Sequence, residues 1–297
     1  MFFQRRHLAN AIGGLLLSCA AHAGKLAIVI DDFGYRPAEE DKVLQMPAAI
    51  SVAVLPNAPG ARQMAIKAHQ SGHEVLIHLP MAPLSKQSLE KDTLTPEMSR
   101  EEIARILRST VNNVPYAVGL NNHMGSKMTS SLPGMQKVMQ ALSPYNFYFL
   151  DSMTIGNSQS VQAAQGTPVK VLKRRVFLDD SQEINAVRQQ FSRAVKLAQR
   201  DGYAIAIGHP HPNTVRVLQQ MLPTLPPDIA LVRPSQLLHE PLSGAAPSAK
   251  PQPQKPRFQP PGVCKGQQPP VPATKALEVV WESANQGIIL RTFNQLF

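Results

Sequence analysis

Lys25-Leu-Ala-Ile-Val-Ile-Asp-Asp-Phe-Gly34 is the stretch on which the reading of this chain turns. Its unbroken apolar run, 26–30, reads as a strand buried on both faces. The run ends on two adjacent carboxylates, Asp31 and Asp32. Residues just beyond the carboxyl end of a parallel strand are where such sheets bind ligands. Neighbouring strand residues point to opposite sides, so the pair is expected to divide its work. One carboxylate would face a metal and the other a water or a reacting group. A single Asp at this place would more often cap the turn that follows.

Working outward, further apolar runs suggest strands at 50–55, 74–79, 117–120, 147–150, 169–171, 204–207 and 229–232. Helical patterns fall between them, at 38–45, 60–70, 99–112, 133–142, 158–164, 182–200 and 213–221. The clearest start is Ser99-Arg-Glu-Glu102, a capping box ahead of Ile103, Ile106 and Leu107. Repeated strand–helix alternation implies a parallel sheet with helices outside it. Seven or eight such units over about 215 residues match an α/β barrel, complete or distorted, in a single domain.

The two ends read differently from this core. Residues 1–23 have the order of an export signal: Arg5 and Arg6, an apolar stretch over 9–20, then Ala21-His22-Ala23. Cleavage after Ala23 would start the mature chain at Gly24, and the apolar stretch is short for a membrane span. A periplasmic protein with no transmembrane span is expected. Leu16-Leu-Ser-Cys19 is a weaker, lipoprotein-like alternative. If Cys19 leaves with the signal, Cys264 remains alone and no intrachain disulfide forms. Residues 241–274 read as a Pro/Gln-rich linker, and 275–297, with Trp281, as either a short helix or a disordered end with scattered apolar residues. The net charge of +10 includes +2 in 1–23 and +4 in 241–297, which leaves a mild +4 in 24–240. That distribution argues against a nucleic-acid partner, and the basic tail is expected at most to touch anionic surfaces.

Four more stretches follow strands: His78 in Gly72-His-Glu-Val-Leu-Ile-His-Leu-Pro80, His123 in Gly119-Leu-Asn-Asn-His-Met-Gly-Ser126, Asp151 in Phe149-Leu-Asp-Ser-Met-Thr154, and His209 in Ile207-Gly-His-Pro-His-Pro212. Taken singly, each has a plain structural reading. His69 and His73 fit a helix end and a loop, Asn121 and Asn122 fit a turn, and His211 fits an exposed position. Together they place Asp, His, His, Asp and His at one end of one sheet. Imidazole nitrogen and carboxylate oxygen are zinc's ligands, and a catalytic site uses three plus water. Asp32, His78 and His123 would supply that set. Asp31 suits a general base and His209, with a pKa near neutrality, a general acid.

These stretches resemble the divergent polysaccharide deacetylases, a branch of the NodB-like carbohydrate esterase superfamily with a distorted (β/α) barrel. Ile30-Asp-Asp-Phe-Gly34 is similar to that superfamily's first motif. The resemblance makes Asp31 the catalytic base and Asp32 a metal ligand. Gly72-His-Glu74 through His78 is similar to the second motif, with His78 as a metal histidine. The motif's usual second ligand falls on Ala82, and the divergent pattern puts His123 in its place. Leu150-Asp151-Ser152 resembles the motif whose carboxylate orients catalytic partners, and Ile207-Gly-His209 the one that carries the acid.

The expectation is therefore an exported hydrolase using a divalent metal, zinc by ligand type, on acetylated glycans of the cell envelope. The alternatives are an inactive periplasmic barrel that binds glycan or protein, and a metal phosphoesterase. The core holds no tryptophan for sugar stacking; Tyr35, Tyr116, Tyr145, Tyr148 and Tyr203 are the substitutes that sequence leaves unplaced.

Overall fold

β1 (Gly24–Phe33) is the centre of the sheet, and three strands share its two edges. β8 (Tyr203–Gly208) pairs along one edge from Lys25 to Ile30. The other edge is divided: β9 (Ile229–Val232) takes Gly24 to Ala27, and β2 (Ser51–Val54) takes Val29 to Phe33. Beyond β2 come β3 (Glu74–Met81), β4 (Ala117–Met124), β5 (Tyr148–Asp151) and β6 (Val171–Lys173). β7 (Val176–Phe177) pairs outside β8, and every pairing is parallel. The computed structural model describes residues 24–240; the expected export signal, linker and terminal segment lie outside the described residues.

The sheet is a distorted barrel, and the chain itself shows how far it curls. β6 and β7 stand at opposite ends of the strand order, yet only Arg174 and Arg175 separate them. Three virtual bonds reach at most about 11 Å, so the two edges must approach one another. The Arg174 N–H donates to Asp151 O on the β5 side and the Arg175 N–H to Ile205 O on the β8 side. Two residues thus close by covalent reach what hydrogen bonds leave open.

The helices coat the outside. They are α1 (Pro37–Val43), α2 (Ala61–Gln70), α3 (Arg100–Asn113), α4 (Ser126–Thr129), α5 (Leu132–Leu142), α6 (Ser160–Ala163), α7 (Ile184–Asp201) and α8 (Pro212–Met221). α3 starts as its sequence predicts: Ser99 Oγ accepts from the Glu102 N–H at 3.1 Å. α7 buries Val187, Phe191, Ala194, Val195 and Ala198, one stripe at helical spacing.

Alternation along the strands sorts the apolar residues into two clusters. Leu26, Ile28 and Ile30 of β1 face the helices. Ala27 and Val29 face inward with Leu76, Leu150, Ile205 and Ile207, and Leu237 joins this inner cluster. Several elements depart from the sequence reading. β4 continues beyond 120 through Asn121, Asn122 and His123, because tertiary partners satisfy polar groups that an apolar pattern cannot announce. β7 and α4 are too short to show a period.

Gly34 makes the turn out of β1 at φ +115°, and a Cβ there would lie 2.6 Å from the Ala58 Cβ. Gly34→Ala should therefore destabilise the barrel by about 1–3 kcal/mol in denaturant unfolding. An unchanged midpoint would show that this turn is slack.

Candidate metal centre and acid–base pair

The inner-facing rows of β1, β3, β4 and β8 each end in a polar side chain. Two residues beyond Val29 is Asp31, beyond Leu76 is His78, and beyond Ile207 is His209. On β4 the row is Gly119, Asn121, His123, and the β3–β4 register sets His78 directly beside Asn121. Period two thus carries the core's inner face up to the barrel mouth and changes its chemistry there.

Asp32 should by the same rule point away. It does not, because its backbone turns into the left-handed region at φ +59°, and the β1–β2 register breaks between Ile30 and Phe33. The two carboxylates therefore converge on one imidazole: His78 Nε2 is 3.6 Å from Asp31 Oδ2 and 3.2 Å from Asp32 Oδ1. This corrects the expectation that the pair faces opposite sides. Met124, at the end of β4, and Met153, just beyond β5, also have positive φ, 54° and 49°.

Glu40 anchors the loop that leaves Asp32. Its Oε1 accepts from the N–H groups of Gly34, Tyr35 and Arg36 at 2.9, 3.0 and 2.6 Å.

Three atoms form a triangle. Asp32 Oδ1 is 3.2 Å from His78 Nε2 and 3.1 Å from His123 Nδ1, and the two ring nitrogens are 3.1 Å apart. Ligands at 2.0–2.1 Å from a tetrahedral ion would stand roughly 3.3 Å apart. Asp32 Oδ1 is buried and accepts no well-aligned hydrogen bond. The donor set, its spacing and the orphaned oxygen all fit a zinc-type ion.

Asn121, fully buried, fixes which His78 nitrogen faces the triangle. Its Nδ2 donates to both Asp31 oxygens, at 2.9 and 3.0 Å, so its Oδ1 must face His78 Nδ1, 2.8 Å away. An amide oxygen only accepts, so Nδ1 carries the proton and the Nε2 lone pair points at the triangle.

Without an ion, a proton does part of this work. Burial alone would lower the pKa of His78, but the charges of Asp31 and Asp32 overcome it and raise the value. For Asp32, burial opposes the charge, and hydrogen bonding from His123 and His78 outweighs it, holding the carboxyl well below its ordinary range. Asp31 goes the other way. Burial raises its pKa more than His78 and His209 lower it.

His209 approaches from the opposite strand, with Nε2 3.9 Å from Asp32 Oδ2. Asp179 holds the rest of that residue: Oδ1 accepts from His209 Nδ1 at 3.0 Å, and Oδ2 from the His209 N–H at 2.7 Å. Burial works against the imidazolium, yet the Asp179 hydrogen bond and charge raise the His209 pKa to about 9. Phe177 packs on the His209 ring at 5.4 Å and under the Arg174 guanidinium at 4.5 Å.

Asp151 does not join the group. Leu150 faces inward, so Asp151 faces outward, where its carboxylate accepts from the Ser158 and Ser160 hydroxyls, both at 2.6 Å, and the Met153 N–H at 2.8 Å. The carboxylate that orients His209 is Asp179 instead. Asp179, His209 and His211 also cluster, but both Asp179 oxygens accept hydrogen bonds and Arg36 Nη1 lies 2.7 Å from His211 Nδ1. That group leaves no orphaned oxygen of the kind seen at Asp32.

A family model described as divergent polysaccharide deacetylase matches residues 28–238, a span that holds every residue of this site. The chain belongs to the divergent polysaccharide deacetylase family. Its relatives include the YibQ protein of Escherichia coli (strain K12), 63% identical over 298 residues, covering 99% of this chain and 93% of that one. A Haemophilus influenzae (strain ATCC 51907 / DSM 11121 / KW20 / Rd) protein is 45% identical over 208 residues, covering 70% and 74%. In fold, the chain is similar to the crystal structure of an Agrobacterium tumefaciens C58 protein, with a TM-score of 0.68 at 18% identity over 72% of this chain and 89% of that one. This deacetylase-family barrel has, among the described residues, no helix long and apolar enough to cross a membrane.

Asn121 and Asp179 are the members of the site that sequence reasoning misses. Asp179 could have been found, since Asp179-Asp180 follows a short apolar run just as Asp31-Asp32 does. Asn121→Ala should weaken metal binding about 10–100-fold, read by competition against a chromophoric chelator. Unchanged affinity would mean that His78 needs no partner on Nδ1.

Proposed function

We propose that this family member is an exported metal-dependent hydrolase that removes acetyl groups from N- or O-acetylated glycans of the cell envelope. One observation carries the reading: a base, Asp31, and an acid, His209, flank a triangle of metal-ligand atoms at the mouth of one barrel. Export rests on the signal-like order of residues 1–23.

Asp32, His78 and His123 would hold the ion. A divalent metal there, zinc by the chemistry of the donors, supplies a Lewis acid that polarises the acetyl carbonyl and acidifies water. Asp31 takes the proton of the attacking water. Its burial makes it a stronger base than a surface carboxylate, and the two Asn121 hydrogen bonds fix both of its oxygens. His209, protonated up to about pH 9, delivers its Nε2 proton to the departing nitrogen or oxygen as the bond to the acetyl carbon breaks. The products are acetate and the free amine or hydroxyl. Asp179 keeps Nδ1 engaged, so the proton that leaves is the one facing the site.

Acetate release from an N-acetylglucosamine oligomer tests the reading. Asp31→Asn should lower the rate by at least about 10²-fold with the metal retained. Asp179→Asn should move the alkaline limb of the pH–rate profile downward, since the His209 proton is then lost at lower pH. Full activity in Asp31→Asn would remove Asp31 as the base. An unmoved alkaline limb would remove His209 as the acid.

A further inference from the structure

A glycan site needs a face on which a sugar ring can lie, and the structure places each tyrosine that sequence could not. Tyr148 and Tyr203 are buried. Tyr145 and Tyr116 precede β5 and β4, at the amino end of the barrel, where Tyr116 stacks on His69 at 4.0 Å. Tyr35 alone of the five follows a strand at the carboxyl end. It stands three residues beyond Asp32 with 47% of its surface exposed. The phenylalanines offer no substitute among the described residues. Phe33, Phe149 and Phe191 are buried, Phe147 packs on the core, and Phe177 is engaged by Arg174 and His209.

Tyr35 is also held in place. Its N–H donates to Glu40 Oε1 at 3.0 Å, and its hydroxyl donates to Glu90 Oε2 at 3.3 Å, across to the loop that follows β3. A tyrosine anchored at its backbone and at its hydroxyl and still open to solvent has given up freedom without gaining burial, which suits a surface made for a ligand. The C–H face of a pyranose is apolar and slightly positive, a match for the negative face of an aromatic ring. A carboxylate beside such a ring accepts from sugar hydroxyls. Next to Tyr35 in the chain, Arg36 donates to His211, whose Nε2 is 3.3 Å from Gln182 Nε2.

We propose that Tyr35 is the sugar-stacking platform of this site, with Glu90 accepting hydrogen bonds from the stacked residue of the acetylated glycan. The inference rests on the glycan reading above and deepens it by naming the subsite. The acetyl group enters toward Asp31 while the ring that carries it, or the next one, lies on Tyr35.

The test is equilibrium binding of a soluble β-1,4-linked N-acetylglucosamine tetramer to the full-length chain, metal-loaded and carrying Asp31→Asn to prevent turnover. Adding Tyr35→Ala should weaken binding about tenfold or more, with metal content unchanged. Tyr35→Phe should keep affinity within about threefold, because the ring face remains. Tyr116→Ala, at the other end of the barrel, should have no effect. No binding by the Asp31→Asn parent, unchanged binding in Tyr35→Ala, or an equal loss in Tyr116→Ala would overturn the proposal. Acetate release from the same tetramer by the unsubstituted chain separates the two claims. Tyr35-dependent binding without release would refute the deacetylase reading and leave the stacking subsite standing.

Discussion

A carboxylate oxygen and two imidazole nitrogens held 3.1–3.2 Å apart call for positive charge between them, a proton or a cation. That constraint organises the mouth of this barrel. Asp32 Oδ1, His78 Nε2 and His123 Nδ1 are brought together by three different strand ends. Asp32 is set by a strained backbone turn, His78 by Asn121, and His123 by its place two residues along the same strand. The raised pKa of His78 and the depressed one of Asp32 express the same demand for positive charge.

The barrel supplies this geometry through alternation. Its inner face is apolar along the lower strands and turns polar at the ends of β1, β3, β4 and β8, so the layer that packs the interior becomes the layer that holds the Asp–His cluster. The closing of the sheet through Arg174 and Arg175 matters for the same reason. It brings β7, and with it Asp179, against β8 and His209. His209 and the imidazoles of His78 and His123 come from opposite sides of the β1 strand, and the curl of the sheet faces them across the mouth.

Much of this was legible in the sequence because apolar runs mark where strands end. Asp31, His78 and His209 each stand next to such a run, and the alternating strand–helix order predicted the barrel. Alternation also explains the failures. The run Phe149-Leu150-Asp151 gives Asp151 its place at a strand end, but which of Leu150 and Asp151 faces inward depends on the pairing of Leu150 with Asn121. Asn121 carries a turn residue's propensity, and only its contacts with Asp31 and His78 hold it in a strand. Asp179 lies just beyond a two-residue strand too short to show a period, so only its Asp-Asp pair after an apolar run marks it. The departure of Asp32 from alternation lies in a single backbone angle, to which hydrophobic patterning is blind.

The most direct measurement is the metal content of the purified chain after zinc reconstitution, with Asp32→Ala, His78→Ala, His123→Ala and Asp151→Ala alongside. About one tightly held ion per chain is expected. It should be lost in the first three variants and kept in Asp151→Ala, whose carboxylate faces away. An ion that survives removal of any member of the triangle, or none in the unsubstituted chain, would contradict the metal centre and the deacetylase chemistry built on it.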